Sequence, residues 1–267
     1  MAGAGPAKPF KMTASYQKDL EFFRERGNRG QVTMENADPI QMKLMEERIV
    51  LVDTEDKALG PASKRECHLR TKENPSGRLH RAFSVFLFDS QNRLLLQRRA
   101  SAKITFPNMW TNSCCSHPLF NERELDATMH IGVKRAAIRK LEDELGIKSR
   151  ALQPEDLRFI TRIEYTGFQD DKLWVEHELD YLLFGRADVE VNANPNEVGD
   201  YRFITKDELK DLLLSRAKHD MVFTPWFDLI CKDHLWKWWA DIDRIMASEP
   251  NDPIIHRFGV YQPPKLK

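Results

Sequence analysis

The fold is decided by the stretch His80-Arg81-Ala82-Phe83-Ser84-Val85-Phe86-Leu87-Phe88, whose aromatic and β-branched residues predict a strand. The polar residues 89–92 predict a turn, and residues 93–98 return the chain as the second strand of a β-hairpin. Further short strands are predicted before and after this hairpin, over residues 49–52, 159–165, 173–184 and 201–204.

Helices are predicted between and after these strands. The charged segment 122–145 ends at Gly146, which is typical of a helix with a glycine C-cap. Residues 205–208 have capping-box spacing, and Thr224-Pro225 opens a last helix through the tryptophan cluster. Because strands and helices mix without strict βαβ alternation, we predict an α/β (α+β) fold in which helices flank a mixed β-sheet.

The chain is predicted to form one domain with two extensions. Residues 39–250 show no internal repeat and no boundary, so we assign them to a single domain. Residues 1–38 carry small, charged and breaker residues, and we expect a flexible N-terminal extension with at most a short helix over residues 16–26. Residues 251–267 are interpreted as a C-terminal tail.

Composition excludes several classes of protein. The 41 basic and 41 acidic residues cancel, so nothing indicates nucleic acid or an acidic membrane as the main partner. No apolar run approaches the roughly 18 residues that span a bilayer, so we expect a soluble protein without a membrane span. Only four cysteines occur, which favours a reducing compartment. We expect a cytoplasmic protein, with the peroxisome as the alternative, although the chain's last residues do not match the S-K-L address.

Two glutamates are the first candidates for chemistry. Side chains alternate along a strand, so Glu176 and Glu178 point to one face and His177 points to the other. The pair could be a solvated acidic face, but the strand continues into a run that we expect to be buried. Two buried carboxylates side by side need a cation between them or a proton on one of them.

Three histidines extend this candidate site. His68, His80 and His117 stand in loops or at strand starts, where a single histidine is more often structural than a ligand. Together with the two glutamates they offer nitrogen and oxygen ligands, which suit Mn²⁺, Zn²⁺ or Mg²⁺ better than a thiolate cage does. Their separations are irregular, so spacing alone leaves the metal site and the structural interpretation open.

The adjacent cysteines Cys114 and Cys115 also allow several interpretations. They could be small buried hydrophobes, zinc ligands or, least plausibly, an adjacent disulfide. A reactive thiol would need a nearby cation or metal. Around these groups stand the polar and basic residues of a candidate phosphate or diphosphate pocket, namely Lys64, Arg99, Lys103 and Ser116.

Several segments closely resemble the type I isopentenyl-diphosphate delta-isomerases, in order and in spacing, over about residues 40–245. These segments are residues 80–88, 103–107, 111–118, 174–181 and 224–227. The resemblance implies a Nudix-like fold and an isomerase that interconverts isopentenyl and dimethylallyl diphosphate by a 1,3-proton shift, which feeds isoprenoid and sterol biosynthesis. It also implies a small prenyl diphosphate as substrate, and we expect a monomer.

The same resemblance implies roles for individual residues. Cys115 is similar to the family's catalytic thiol, Glu178 to the opposing carboxylate, Tyr165 to its hydrogen-bonding partner and Trp226 to the aromatic that faces the developing cation. The substrate-binding positions of the family match Lys64, Arg99, Lys103 and Ser116. Its divalent-metal ligands match His68, His80, His117, Glu176 and Glu178, and Glu144 resembles the residue that helps to hold Mg²⁺ on the diphosphate.

A Nudix-type diphosphate hydrolase is the alternative. Aligned with the Nudix signature on Glu144 and Gly146, the chain keeps Arg139 but has Lys140 and Ile131 where the signature has glutamates. The loss of these carboxylates weakens a hydrolytic metal cluster, so the sequence favours the isomerase. A zinc-binding interaction module would need the His/Cys/Glu cluster, but neither Trp226 nor the basic pocket.

Overall fold

The computed structural model describes residues 37–215, 221–250 and 252–261. In these ranges helices pack against a single mixed sheet. The strands are β1 (Arg48–Val52), β2 (Ala58–Ser63), β3 (His80–Phe88), β4 (Leu94–Arg99), β5 (Trp110–Thr111), β6 (Cys114–Ser116), β7 (Arg158–Phe168), β8 (Val175–Arg186), β9 (Val198–Ile204) and β10 (Ile255–Val260). The helices are α1 (Pro39–Leu44), α2 (Lys64–His68), α3 (Glu122–Leu125), α4 (Ile131–Leu145), α5 (Lys206–Leu214), α6 (Pro225–Asp233), α7 (Leu235–Ala240) and α8 (Ile242–Ala247), with 3₁₀ turns at Thr128–His130 and Pro154–Asp156.

Strand β3 lies at the centre of the sheet. The longest path through the sheet runs β10-β7-β8-β3-β1-β2, and β4, β5, β6 and β9 attach on the side of β3 and β4. β3 runs parallel to β8 from His80 opposite Glu178 to Phe88 opposite Arg186, and antiparallel to β6. The predicted mixed sheet with flanking helices is therefore confirmed, and the hairpin of β3 and β4 closes at Phe88 opposite Leu94.

The run of apolar residues in β3 is explained by burial on both faces of the sheet. Phe86 and Phe88 pack into a cluster with the tryptophan-rich helices α6 and α7. Val85 and Leu87 pack into a second cluster against α4. A strand that is covered on both faces does not alternate between apolar and polar residues, and the sequence of β3 is accordingly hydrophobic along nearly its whole length.

The predicted helix over residues 122–145 is wrong in its first part. The chain forms α3, a 3₁₀ turn and then α4, with Met129 and His130 at φ of 47° and 58°. Gly132 permits the sharp return, because a Cβ there would lie 2.4 Å from the carbonyl oxygen of Glu124. The predicted C-cap is confirmed, since Gly146 adopts φ 65° and its N–H donates to the carbonyl of Glu142.

The last helical region also differs from the prediction. A helix begins at Pro225 with Thr224 at its N-cap, but α6, α7 and α8 are separated at His234 and Asp241. The Thr224 hydroxyl donates to Thr111 Oγ1 at 2.9 Å and thereby joins α6 to β5. The predicted capping box at residues 205–208 is confirmed in α5.

The two ends of the chain add detail to the expected domain limits. Residues 1–36, which include the predicted short helix, lie outside the described residues. Within the expected tail, β10 pairs parallel with β7, so this part of the chain contributes an edge strand. Among residues 37–215, 221–250 and 252–261, no helix is both long enough and apolar enough to cross a lipid bilayer.

We expect Gly132→Ala to lower the free energy of unfolding by at least about 1–3 kcal/mol, because a methyl group would press on the backbone of α3. Gly199→Ala is the matched control, since the nearest atom to its added Cβ would be 3.6 Å away. Urea unfolding followed by circular dichroism measures both variants. Equal stability of the two variants would contradict the close packing of α3 on α4.

Candidate active site

Five side chains converge at the start of β3. His80 is the first residue of β3 and lies directly opposite Glu178 of β8. Glu176 lies two residues before Glu178 on the same face of β8. His117 directly follows β6, and His68 is the last residue of helix α2. All five are buried, and each offers a ligand atom within 4.8 Å of the others.

Helix α2 brings His68 to this point. Ser63 and Glu66 form a reciprocal capping box at its first turn, which sets where the helix starts. No helix is predicted here from the sequence, although the Ser-x-x-Glu spacing of a capping box is present at residues 63–66. His68 is the last residue of this short helix and is fully buried.

The imidazole rings are oriented by the backbone. Nδ1 of His68 lies 2.7 Å from the carbonyl oxygen of Lys64, and Nδ1 of His80 lies 2.7 Å from that of Arg78. A carbonyl can only accept, so both Nδ1 atoms carry hydrogen and both Nε2 atoms present a lone pair to the centre. This arrangement is typical of metal-binding histidines.

Unpartnered atoms at the centre fit a divalent cation. His68 Nε2 lies 2.7 Å from Glu176 Oε2, yet neither atom has a hydrogen-bond partner among the described residues, and neither does His80 Nε2. Buried polar groups are rarely left unpaired. Lone pairs that point at one another across a common centre are explained by an ion between them, and this donor set of three imidazoles and two carboxylates suits one.

The pKa values fit the same interpretation. Burial lowers the pKa of His68 to about 4, so its ring is neutral and able to bind metal at pH 7. Burial and the neighbouring Glu178 raise the pKa of Glu176 well above its ordinary value. For Glu178 burial acts in the same direction, but the hydrogen bond from His117 Nε2 at 2.8 Å and the His80 ring outweigh it and hold its pKa low.

Tyr165 supports Glu178 from β7. Its hydroxyl donates to Glu178 Oε2 at 2.5 Å, and the two residues are directly opposite in the β7–β8 register. Burial and the adjacent carboxylate raise the pKa of Tyr165 well above its ordinary value, so the phenol stays protonated. Glu178 therefore accepts hydrogen bonds on both oxygens.

Cys115 lies on another wall of the same cleft. It stands in β6 opposite Ser84 of β3 and is partly exposed, whereas the other three cysteines of the chain are buried. Burial raises the pKa of its thiol to about 12 against the opposing effect of Arg99, so the group is a thiol at neutral pH. Arg99 Nη1 donates to Sγ at 3.6 Å.

The structure reduces the number of possible roles for Cys114 and Cys115. All four cysteines are free, so no adjacent disulfide forms, and the buried metal-ligand cluster of the described residues contains no thiol. Cys114 is fully buried, with Sγ 3.6 Å from Glu144 Oε2. Only Cys115 reaches the cleft.

Trp226 closes the cleft from helix α6. Its indole N–H donates to Asn112 Oδ1 at 3.1 Å, which holds the ring in place. The edge-to-face contact with Phe106 has ring centroids 5.5 Å apart. The ring is almost fully buried and forms an aromatic surface of the cleft.

The cleft has a volume of about 460 Å³, including its open mouth. Most of the residues proposed from the sequence line it, and His68, His80 and Tyr165 lie behind this lining. The lining residues are Leu44, Glu47, Lys64, Phe83, Arg99, Lys103, Thr105, Cys115, Ser116, His117, Lys140, Glu144, Glu176, Glu178, Glu197 and Trp226.

Three charged residues of this lining are not among the site residues predicted from the sequence, namely Glu47, Lys140 and Glu197. Lys140 was noticed only as a departure from the Nudix signature, yet it faces the cleft one helical turn before Glu144, with Nζ 3.5 Å from Oε1 of that residue. Glu197 stands in a loop with no motif, and nothing in its neighbourhood could have indicated a buried position.

Comparison with known proteins identifies relatives of this chain. The family model described as NUDIX domain matches residues 78–227. Isopentenyl-diphosphate Delta-isomerase 1 of Bos taurus is 46% identical over 228 residues, which cover 85% of this chain and 99% of that protein. The isopentenyl-diphosphate delta-isomerase of Aspergillus fumigatus is 51% identical over 79% of this chain and 80% of its own length.

A third relative and one solved structure extend this comparison. The isopentenyl-diphosphate delta-isomerase of Schizosaccharomyces pombe is 48% identical over 82% of this chain and 94% of its own length. The crystal structure of DR0079 from Deinococcus radiodurans matches 70% of this chain and 99% of its own, at 22% identity and a TM-score of 0.49.

We expect Glu176→Gln to weaken divalent-metal binding by about tenfold or more, because it removes one anionic ligand from the buried cluster. His177→Gln is the matched control, since it lies between the two glutamates and is turned to Gly77 instead. Dialysis against Mn²⁺ or Zn²⁺ followed by metal analysis measures both variants. Equal metal content in the two variants would contradict the metal site.

Proposed function

Because this chain belongs to the isopentenyl-diphosphate delta-isomerase family and carries a NUDIX domain, we propose that its cleft delivers and removes protons on a prenyl diphosphate. It is an isopentenyl-diphosphate delta-isomerase, an enzyme that interconverts isopentenyl and dimethylallyl diphosphate. The observation that carries the mechanism is one cleft lined by a protonated thiol, a buried carboxylate and an indole ring.

The reaction moves a double bond without net gain or loss of atoms. A proton added to the terminal methylene carbon places positive charge on the tertiary carbon. Loss of a proton from the methylene group on the other side of that carbon then forms the new double bond. One group must give the first proton and another must take the second, and we assign these roles to Cys115 and Glu178.

Neighbouring groups stabilise the deprotonated form of both residues. Arg99 donates to the sulfur of Cys115 and would stabilise the thiolate after a proton leaves. Tyr165 and His117 donate to the two oxygens of Glu178 and stabilise its ionised form. We propose that the flat hydrocarbon lies between the thiol and the carboxylate.

Trp226 supplies a surface that tolerates a carbocation. A tertiary cation is captured by water or by any nearby lone pair, whereas the face of an aromatic ring attracts a cation without forming a bond to it. Its indole N–H is already occupied by Asn112, so the ring presents carbon to the substrate. A site for such a cation must exclude water while the reaction occurs.

The polar end of the cleft is assigned to the diphosphate. Lys64, Arg99, Lys103 and Ser116 line this part of the cleft and offer donors to phosphate oxygens. We propose that Glu144 helps to hold Mg²⁺ on the diphosphate, where the ion would neutralise phosphate charge. Anchoring the diphosphate leaves the hydrocarbon at a fixed distance from Cys115 and Glu178.

The His/Glu cluster is assigned to a divalent metal, namely Mg²⁺, Mn²⁺ or Zn²⁺. Its residues are His68, His80, His117, Glu176 and Glu178. A bound cation would compensate the two carboxylates and lower the basicity of Glu178. Without it, the raised pKa of Glu176 indicates that the pair would retain a proton.

The hydrolase alternative is disfavoured by the side chain at position 140. Where the hydrolase signature has a glutamate, this chain has Lys140, so a hydrolytic metal cluster would lack one of its carboxylates. A metal-binding interaction module is disfavoured because the cluster opens into a cleft with a thiol and basic residues.

We further propose a cytoplasmic monomer whose catalytic domain spans residues 39–250 and whose product enters isoprenoid and sterol synthesis. The compartment is supported by four free cysteines, two of them adjacent in sequence.

We expect Cys115→Ala to lower the rate of dimethylallyl diphosphate formation from isopentenyl diphosphate by about 10²- to 10⁴-fold, the range for loss of a general acid or base. Cys114→Ala removes a buried sulfur next to it and should retain most of the activity. Product is measured by chromatography and phosphate release by a colorimetric assay. Full activity of Cys115→Ala would contradict its role, and phosphate release would favour the hydrolase.

Two substitutions of Trp226 distinguish the effect of an aromatic face on kcat from the effect of apolar volume alone. Trp226→Leu should lower kcat by about 3- to 30-fold relative to Trp226→Phe, which is the value of a cation–π contact. Both variants lose the hydrogen bond to Asn112, so that loss cancels in the comparison. Steady-state kinetics give both constants, and identical kcat values would show that no cation forms against this ring.

A further inference from the structure

A carboxylate is buried among the lysines of the diphosphate end, and the mechanism above makes no use of it. Glu197 is 3% exposed and forms an ion pair with Lys103. Its other oxygen accepts a hydrogen bond from Gln41 Nε2 of helix α1 at 2.8 Å. A carboxylate in a cleft that binds a diphosphate repels that ligand, so the presence of Glu197 there requires a separate explanation.

The charges around Glu197 indicate what it does. Burial would raise its pKa, but Lys103, Lys140 and Lys64 outweigh burial and hold the pKa well below the ordinary value, so the group is ionised. Burial and the neighbouring Lys103 lower the pKa of Lys64, and Glu197 and Glu47 oppose that decrease. Like charges at this density need a counter-ion to remain together in a buried place.

The backbone of Glu197 ties the same parts together. Its carbonyl accepts the N–H of Ala100, where the segment that carries Lys103 begins. Its N–H donates to the carbonyl of Asn194, and the N–H of Asn194 donates to the carbonyl of Glu144 at the end of α4. Side chain and backbone thus connect α1, the Lys103 segment and the helix that carries Lys140.

We propose that Glu197 is a positioning residue for the diphosphate end: its side chain, held by Gln41, holds Lys103 in the cleft before substrate arrives. The inference rests on the proposed function, in which Lys103 binds the diphosphate. Among the described residues, the hydrogen bonds and ion pairs of Glu197 reach neither Cys115 nor Glu178. It should therefore affect binding rather than proton transfer.

Two opposing effects of removing the charge must be compared. Four cations line the cleft, namely Lys64, Arg99, Lys103 and Lys140, so the loss of one negative charge would strengthen their attraction for diphosphate. The same loss frees the flexible Lys103 side chain, whose ammonium group is buried and forms its ion pair with Glu197. We expect the loss of order to dominate, because the substrate would then have to order the Lys103 side chain when it binds.

The test compares Glu197→Gln, which keeps the shape and loses the charge, with the wild type. We expect KM for isopentenyl diphosphate to rise about tenfold, as for loss of a charged hydrogen bond, and kcat to change by less than about threefold. Calorimetric binding of inorganic diphosphate with Mg²⁺ should weaken by a similar factor. Glu197→Asp keeps the charge and should recover part of the loss.

A double variant identifies the route of the effect. In a Lys103→Met background, Glu197→Gln should raise KM much less, because the main partner is already absent. An unchanged or lower KM for Glu197→Gln, or a fall in kcat at constant KM, would overturn the inference. If that variant does not fold, as judged by thermal unfolding, Glu197→Asp takes its place: its shorter side chain draws the carboxylate away from Lys103, so KM should rise by less than for the loss of the charge, and a wild-type KM would overturn the inference.

Diphosphate binding by the wild type and by Lys103→Met distinguishes a failure of the proposed function from a failure of the positioning role of Glu197. Diphosphate binding that is unaffected by Lys103→Met would contradict the proposed function of the lysines. Binding that depends on Lys103 but not on Glu197 would contradict only the positioning role.

Discussion

Two carboxylates buried side by side on one strand are the constraint on which the site depends. Glu176 and Glu178 are only a few per cent exposed, and neither charge can be left uncompensated at that depth. His68 and His80 face them with their lone pairs, and the His117 ring and the Tyr165 phenol donate to Glu178. The start of helix α2 and the central position of β3 are both needed to bring these groups together.

The helix α4, which carries the match to the Nudix signature, differs from that signature in charge. It ends at Leu145 with Gly146 as its C-cap, and Arg139 forms a two-point ion pair with Glu124 and also donates to the carbonyl of His117. Lys140 stands where the signature has a glutamate and adds a positive charge to the cleft. In the proposed function, the lysines of this end hold the diphosphate while the hydrocarbon end reacts.

Much of the fold and site could be predicted from local sequence. Alternation placed Glu176 and Glu178 together, composition identified β3, and glycine and capping signals located the end of α4 and the start of α5. The break at residues 126–130 could not be predicted, because it depends on a close contact of Gly132 with another segment. Glu197 was missed for the same reason, since its burial among lysines arises only from tertiary contacts.

The proposed mechanism requires two groups on different walls of the cleft to handle the two protons, and the stereochemistry of the proton shift is the measurement that decides it. Isopentenyl diphosphate with stereodefined deuterium and tritium at the terminal methylene, and with deuterium at one of the two hydrogens that can be lost, would be converted in H₂O. The chirality of the new methyl group and the retention of the second label would then be analysed. We predict addition of the proton to one face of the five-carbon unit and removal from the opposite face, whereas addition and removal on the same face would contradict the mechanism, because a single group serves only one face.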